Sequence, residues 1–200
     1  MLVIGITGGT GSGKGFVCRL FEKLGINSID TDQTSRQVCG AGMPCLIELA
    51  QTFGNDILNP DGSLNRKKLA SIAFSDKQKH LILNKITHFH ILNEVRNRLN
   101  IERENGKAAA IVDAPLLYES GFDKECDVII AVTADESLRI KRIIERDNIS
   151  IDEIKQRLSK QGDDSFYTQK ANYVITNNGS ADDLQKQVEA VYNSIFKKHN

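Results

Sequence analysis

The apolar run "LVIGI" (residues 2–6) ends directly in "TGGTGSGK" (7–14), and no other feature of the 200-residue chain limits its fold as tightly. A strand that empties into a glycine-rich turn and then a helix is the setting of the phosphate-binding signature G-x-x-x-x-G-K-[ST]. The glycines let successive backbone N–H groups curl round a phosphate chain. A lysine at the start of the following helix adds charge where the helix dipole already favours anions. Here the pattern runs from Gly8 to Gly13 and Lys14. It predicts phosphate contacts at Gly9, Thr10, Gly11, Ser12, Gly13 and Lys14, continuing into Gly15 and Phe16. Gly15 stands where the pattern asks for a hydroxyl that would hold magnesium. A glycine-rich turn with no ligand is the alternative, but it leaves Lys14 unexplained.

Short apolar runs with β-branched residues recur at "INSID" (26–30), "AAAIVDA" (108–114), "CDVIIAVT" (126–133) and "NYVIT" (172–176). Together with the first run they predict five buried strands of a parallel sheet. Helical stripes lie between them: Leu46, Leu49, Ala50 and Phe53; Ile82, Ile86, Phe89, Leu92, Val95 and Leu99; Leu184, Val188, Val191 and Ile195. Strand–helix alternation predicts a three-layer α/β fold with right-handed crossovers. The crossover between the second and third strands is far longer than a βαβ link needs, which predicts a helical subdomain at 35–104. The core is then 1–34 with 105–200. Residues 137–165 form a helical flap carrying Arg139, Lys141, Arg142, Arg146, Lys155, Arg157 and Lys160, nearly balanced by acids. A solvated helix pair is the plainer reading of that flap.

Composition narrows the partners. Twenty-six basic and 26 acidic side chains give a formal charge of zero, so nothing global draws the chain to nucleic acid or anionic lipid. No apolar run approaches a membrane span, and the N-terminus reaches glycine too soon for a signal peptide. Cysteines at 18, 39, 45 and 126 form no C-x-x-C and have no histidine pairing, so they are expected to be reduced, mostly buried thiols without a metal or redox role. The expectation is a cytoplasmic monomer.

Parallel strands share one carboxyl edge, and ligands bind there. That rule gathers Asp30 and Asp32 after the second strand, Asp113 closing the third, and the phosphate loop. Asp32 is read as a catalytic base, with a helix N-cap as its alternative. Arg36 is read as a substrate contact or an i,i+4 partner of Asp32. Asp113 is read as a magnesium-orienting carboxylate, through water, or as the opening of a turn before Pro115. Arg142 and Arg146 share a helix face and suit a phosphate clamp.

The blocks "GITGGTGSGKG", "IDTDQTSRQV", "DGSLNRKKLASIAF", "ITHFHI", "VDAPLLYESG", "KRIIERD" and "KANYVITNNG" follow one another as in dephospho-coenzyme A kinases, and the chain resembles that family from residue 2 to about 179. The resemblance implies a P-loop kinase fold with a helical substrate-binding insertion and a helical lid. It implies transfer of the γ-phosphoryl group of ATP, with Mg²⁺, to the ribose 3′-hydroxyl of dephospho-CoA. It casts Asp32, Lys14 and Arg142 as catalytic, with Arg146 and Asn178 joining the nucleotide contacts. His88, Leu116, Leu117 and Phe122 are candidates for the substrate, with structural packing as their alternative. The family usually reads G-K-S-T where this chain has Lys14-Gly15-Phe16, and His-Pro where it has His88-Phe89. Magnesium keeps several waters, so a water can fill the place of the absent hydroxyl, and Phe16 is expected to turn into the core. Rival readings are another nucleoside or nucleotide kinase, or an ATP-binding regulator without turnover. A GTP switch fits poorly, since "TNNG" replaces the N-K-x-D that reads guanine.

Overall fold

The computed structural model describes residues 1–159 and 161–199; Lys160, counted above among the basic residues of the flap, lies outside them. The chain divides into two compact units, Met1–Ile29 with Glu102–Asn200, and Asp30–Ile101.

Five strands, β1 (Leu2–Thr7), β2 (Asn27–Asp30), β3 (Ala109–Asp113), β4 (Val128–Thr133) and β5 (Tyr173–Thr176), form one sheet in the order β2-β3-β1-β4-β5. The first strand is central, pairing parallel with β3 from Leu2↔Ala109 to Ile6↔Asp113 and with β4 from Ile4↔Val128 to Thr7↔Ala131. Side chains alternate across it. Ile4 and Ile6 point, with Ile111, Ile130 and Val132, into a core closed by α1 (Lys14–Lys23) and α9 (Ala181–His199). Val17, Cys18, Leu20 and Phe21 on α1 and Leu184, Val188 and Ile195 on α9 supply the facing layer. Val191 joins this layer half-buried, completing the stripe expected for the last helix.

On the opposite face of β1, Gly5 leaves room for the segment after β3. A Cβ there would stand 2.8 Å from Cys126 Sγ and 2.9 Å from Leu117 Cδ2. Leu117 and Phe122 are completely buried, so core packing accounts for both of these substrate candidates, whereas Leu116 is 52% exposed.

The second unit contains α2 (Thr31–Val38), α3 (Pro44–Phe53), α4 (Arg66–Ala73) and most of α5 (Lys77–Glu104). Val38, Cys39, Cys45, Leu49, Ile57, Leu69 and Ile86 form its core. The turn at 59–63 is fastened by Asp61, which accepts from the Ser63 N–H at 2.9 Å and the Ser63 hydroxyl at 2.6 Å. Along α5 the single stripe read from sequence does not hold. Ile86, Val95 and Leu99 are buried, but Ile82 is 42% and Phe89 60% exposed. Ile86 and Val95 are half a turn out of phase at 3.6 residues per turn, so the helix buries one face early and the opposite face late. It passes His88-Phe89 without a break, because Phe89 keeps the N–H that a proline would remove. Among the described residues, no helix is long and apolar enough to cross a membrane.

The space over Gly5 sets a stability test. Gly5→Ala should overpack the sheet against Cys126 and Leu117 and cost about 1–3 kcal/mol, read as a lower urea midpoint with an unchanged slope.

Candidate active site

The loop 8–13 leaves the carboxyl end of β1, and Gly13 caps α1 in the left-handed conformation at φ 97°. A side chain there is excluded twice over, since a Cβ would also fall 2.1 Å from Asn177 Nδ2. Gly8 is fixed by close approach: its Cβ would fall 2.1 Å from the Val132 carbonyl oxygen of β4.

The carbonyl oxygens of this loop are held by side chains from elsewhere in the unit. Lys14 Nζ donates to Gly8 O at 2.8 Å and to Gly9 O at 3.4 Å. Arg139 Nε donates to Thr10 O at 2.9 Å, Arg142 to Gly11 O at 3.4 Å, and Asn177 Nδ2 to Ser12 O at 2.8 Å. Arg142 also donates to the Asn177 carbonyl at 3.0 Å. Gln161 grips Thr10 at both ends of its amide, accepting from the backbone N–H at 2.9 Å and donating to the hydroxyl at 2.6 Å. Ser12 Oγ is buried and has no hydrogen-bond partner among the described residues.

These contacts amend the flap. Its helices are α6 (Glu136–Asp147), α7 (Ile151–Ser159) and α8 (Asp164–Thr168). Arg142 lies against the loop, and the second cation there is Arg139, three residues earlier and only 8% exposed. The expected partner Arg146 instead donates to Asp147 at 2.7 and 3.0 Å, beside Arg157 at 2.8 Å from the same carboxylate. Hydrogen bonding and charge from Arg146, then Arg157, hold the Asp147 carboxyl down to about 2. The i,i+3 spacing of Arg139 and Arg142 was the available signal for the pair that meets the loop. Asn177 was missed for its neighbour Asn178. Asn178 pairs with Asp135, accepting its N–H at 2.8 Å and donating to its carboxylate at 2.7 Å.

Gly15 and Phe16 open the outer side of α1. A Cβ on Gly15 would meet only Arg19 Nη1, at 3.8 Å. Phe16 does not enter the core as expected: it is 37% exposed, with the Arg19 guanidinium 5.3 Å from its ring centre. Position 16 lies at the edge of the buried stripe of α1, whose centre is filled by Val17, Leu20 and Phe21.

Asp113 ends β3, and the Cys18 thiol of α1 hydrogen-bonds its carboxylate; burial and then this neighbouring charge push the thiol well above its ordinary range, keeping it protonated. Among the described residues no three His, Cys, Asp or Glu side chains are grouped to hold a metal. A single carboxylate beside a phosphate site nevertheless suits Mg²⁺, which retains waters and takes phosphate oxygens as ligands.

In the helical unit, Asp30 caps α2 by accepting from the Gln33 N–H at 2.9 Å. The cap therefore belongs to Asp30, and the exposed Asp32 sits inside the first turn. Arg36 is exposed on the last turn. His88 is half-buried in α5, and burial holds its imidazole below the ordinary range, favouring the neutral form. A cavity of about 170 Å³ lies in this unit, lined by Ser35, Cys39, Arg66, Phe74, Leu83 and Thr87 among others.

The sequence model of the family described as dephospho-CoA kinase matches residues 2–183. A dephospho-CoA kinase of Corynebacterium glutamicum is 38% identical over 200 residues, covering all of both chains. The solved dephospho-CoA kinase from Campylobacter jejuni superimposes with a TM-score of 0.72 at 26% identity, covering 99% of this chain and 98% of that one. Shikimate kinase from Acinetobacter baumannii shares the fold, with a TM-score of 0.58 at 19% identity over 99% of this chain and 94% of its own.

The left-handed cap makes a direct prediction. Gly13→Ala combines backbone strain with a clash at Asn177, and should weaken binding of a fluorescent ATP analogue by about tenfold or more while thermal unfolding stays cooperative.

Proposed function

Since the chain belongs to the dephospho-CoA kinase family, phosphotransferases that act on a hydroxyl group with ATP as co-substrate, we propose how its own residues divide that work. The observation that carries the reading is the convergence of Lys14, Arg139 and Arg142 on the loop 8–13. Phosphoryl transfer passes through a loose transition state, so the protein mainly positions groups and neutralises charge. Lys14 and the loop N–H groups hold the β- and γ-phosphates of ATP. Arg142 supplies positive charge from the lid, and Arg139 with Gln161 keeps the tip of the loop in place for it. Asp32 accepts a hydrogen bond from the ribose 3′-hydroxyl of dephospho-CoA and takes its proton as the new P–O bond forms. Arg36 and the cavity beside Arg66 serve the acceptor in the helical unit, Arg66 offering a cation to its phosphates.

Asp113 would hold Mg²⁺ through water, and Ser12 offers a hydroxyl to the phosphates; the metal supplies neutralisation of the β- and γ-oxygens. The four free cysteines suit a reducing cytoplasm, and we take the working form to be a monomer.

The decisive experiment is mass spectrometry of the products from ATP, Mg²⁺ and dephospho-CoA, with AMP and adenosine as competing acceptors. A product one phosphate heavier, mapped to the 3′ position and formed only from dephospho-CoA, is expected; nucleotide binding without any product would overturn the reading. Asp32→Asn should lower kcat by about 10²-fold or more with ATP affinity nearly unchanged, whereas a parallel loss of both would mark a structural role. Gly15→Ser has room for its side chain and should reduce the Mg²⁺ concentration for half-maximal rate by about two- to tenfold, measured by metal titration.

A further inference from the structure

Cys39 closes α2 and Cys45 is the second residue of α3, and their sulfurs lie 3.2 Å apart inside the helical unit. A disulfide is ~2.05 Å long, so bonding asks the two sulfurs to approach by about 1.1 Å. The connecting segment begins Gly40-Ala41-Gly42, with Gly42 at φ 76°. Cys39 also lines the cavity of about 170 Å³ beside Arg66, which gives a small reagent a route to a thiol that is otherwise buried.

We propose that Cys39 and Cys45 form a redox-active dithiol, closed to an intramolecular disulfide by a low-molecular-weight disulfide. The Cys39 thiolate attacks one sulfur of the reagent R–S–S–R, forming a mixed disulfide and expelling RS⁻. Cys45 then loses its proton and attacks Cys39 Sγ, which forms the protein disulfide and expels the second RS⁻. Two protein thiols lose two electrons and two protons, and the reagent is reduced to two thiols.

The two sulfurs are not equivalent: Cys39 lines the cavity beside Arg66, whereas Cys45 is completely buried, so a reagent meets Cys39 first. The hydrogen bond shared with Cys45, with the Arg66 charge behind it, holds the Cys39 thiol below its ordinary range. The same hydrogen bond and burial push Cys45 well up, so it resolves rather than initiates. The other two cysteines serve as internal comparators. Burial and Asp113 raise Cys18, while burial followed by Asp123, Asp127 and Glu125 pushes Cys126 up to about 12.

The test uses the full folded chain with 2-hydroxyethyl disulfide, followed by acid quench, denaturation, maleimide labelling and peptide mapping. Of the four cysteines, labelled thiols should fall to two, with residues 39 and 45 in one cross-linked peptide, and dithiothreitol should restore all four. Capture at Cys39 should be about tenfold or more faster than at Cys18 or Cys126. In Cys45→Ala, Cys39 should retain the reagent as a stable adduct. Four labelled thiols after exposure would overturn the proposal, as would a wild-type protein that keeps the reagent on Cys39 with Cys45 still free. The wild-type map decides the matter by itself should the variant not fold. The readout is thiols alone, so its failure is separate from any failure of phosphoryl transfer.

Discussion

A loop that turns its N–H groups toward a ligand must turn carbonyl oxygens the other way, and those oxygens need donors. Here the donors come from three places: Lys14 on the helix that follows, Arg139 and Arg142 on α6, and Asn177 just after β5. The sheet order explains why they can meet. With β4 beside β1 and β5 beside β4, the segments leaving those two strands border the loop on one side. Placing β1 at the centre is therefore a condition of the site as well as of the core. The loop, α6 and the segment after β5 are thus joined in one hydrogen-bonded assembly.

The strands were the most legible part of the chain. Each apolar run is bounded within two residues of the strand it forms. Burial on both faces gives β1, β3 and β4 a continuous apolar signal, whereas the edge strands β2 and β5, expected to be buried as well, each bury a single side chain, Ile29 and Ile175. The helices α3 and α9 were nearly as plain, each presenting one apolar face. α5 was not, because a helix that changes its buried face along its length carries two stripes that overlap in sequence. In the loop, the glycines and Lys14 stand out in the sequence because the conformation they set is local. The choice between Arg139 and Arg146, or between Asn177 and Asn178, was not local. Each pair offers the same functional group two turns or one residue apart, and Asp147 and Asp135 decide which member is taken up elsewhere. Such competition between identical side chains leaves no mark on spacing.

Asp30 and Asp32 show the same principle with the opposite outcome. Both suit a helix start, and spacing alone divides Asp32 between cap and base. The structure assigns the cap to Asp30, whose carboxylate bonds the third residue beyond it. Asp32 lies one step further on, inside the first turn of α2. The thiols of Cys39 and Cys45 were passed over for a related reason: five intervening residues match no redox spacing, yet the turn between α2 and α3 folds them together.

The open space at Gly15 bears on how such a chain can change over time. Gly8 and Gly13 are walled in by Val132 and Asn177, so any substitution there calls for simultaneous change in another strand or loop. Gly15 faces no such wall. Glycine and serine codons can differ by a single base, so the hydroxyl is one mutational step away from a helix that already has room for it. Loss and regain of that group can thus proceed in either direction without remodelling a neighbour, leaving position 15 a freely reversible site within an otherwise locked loop.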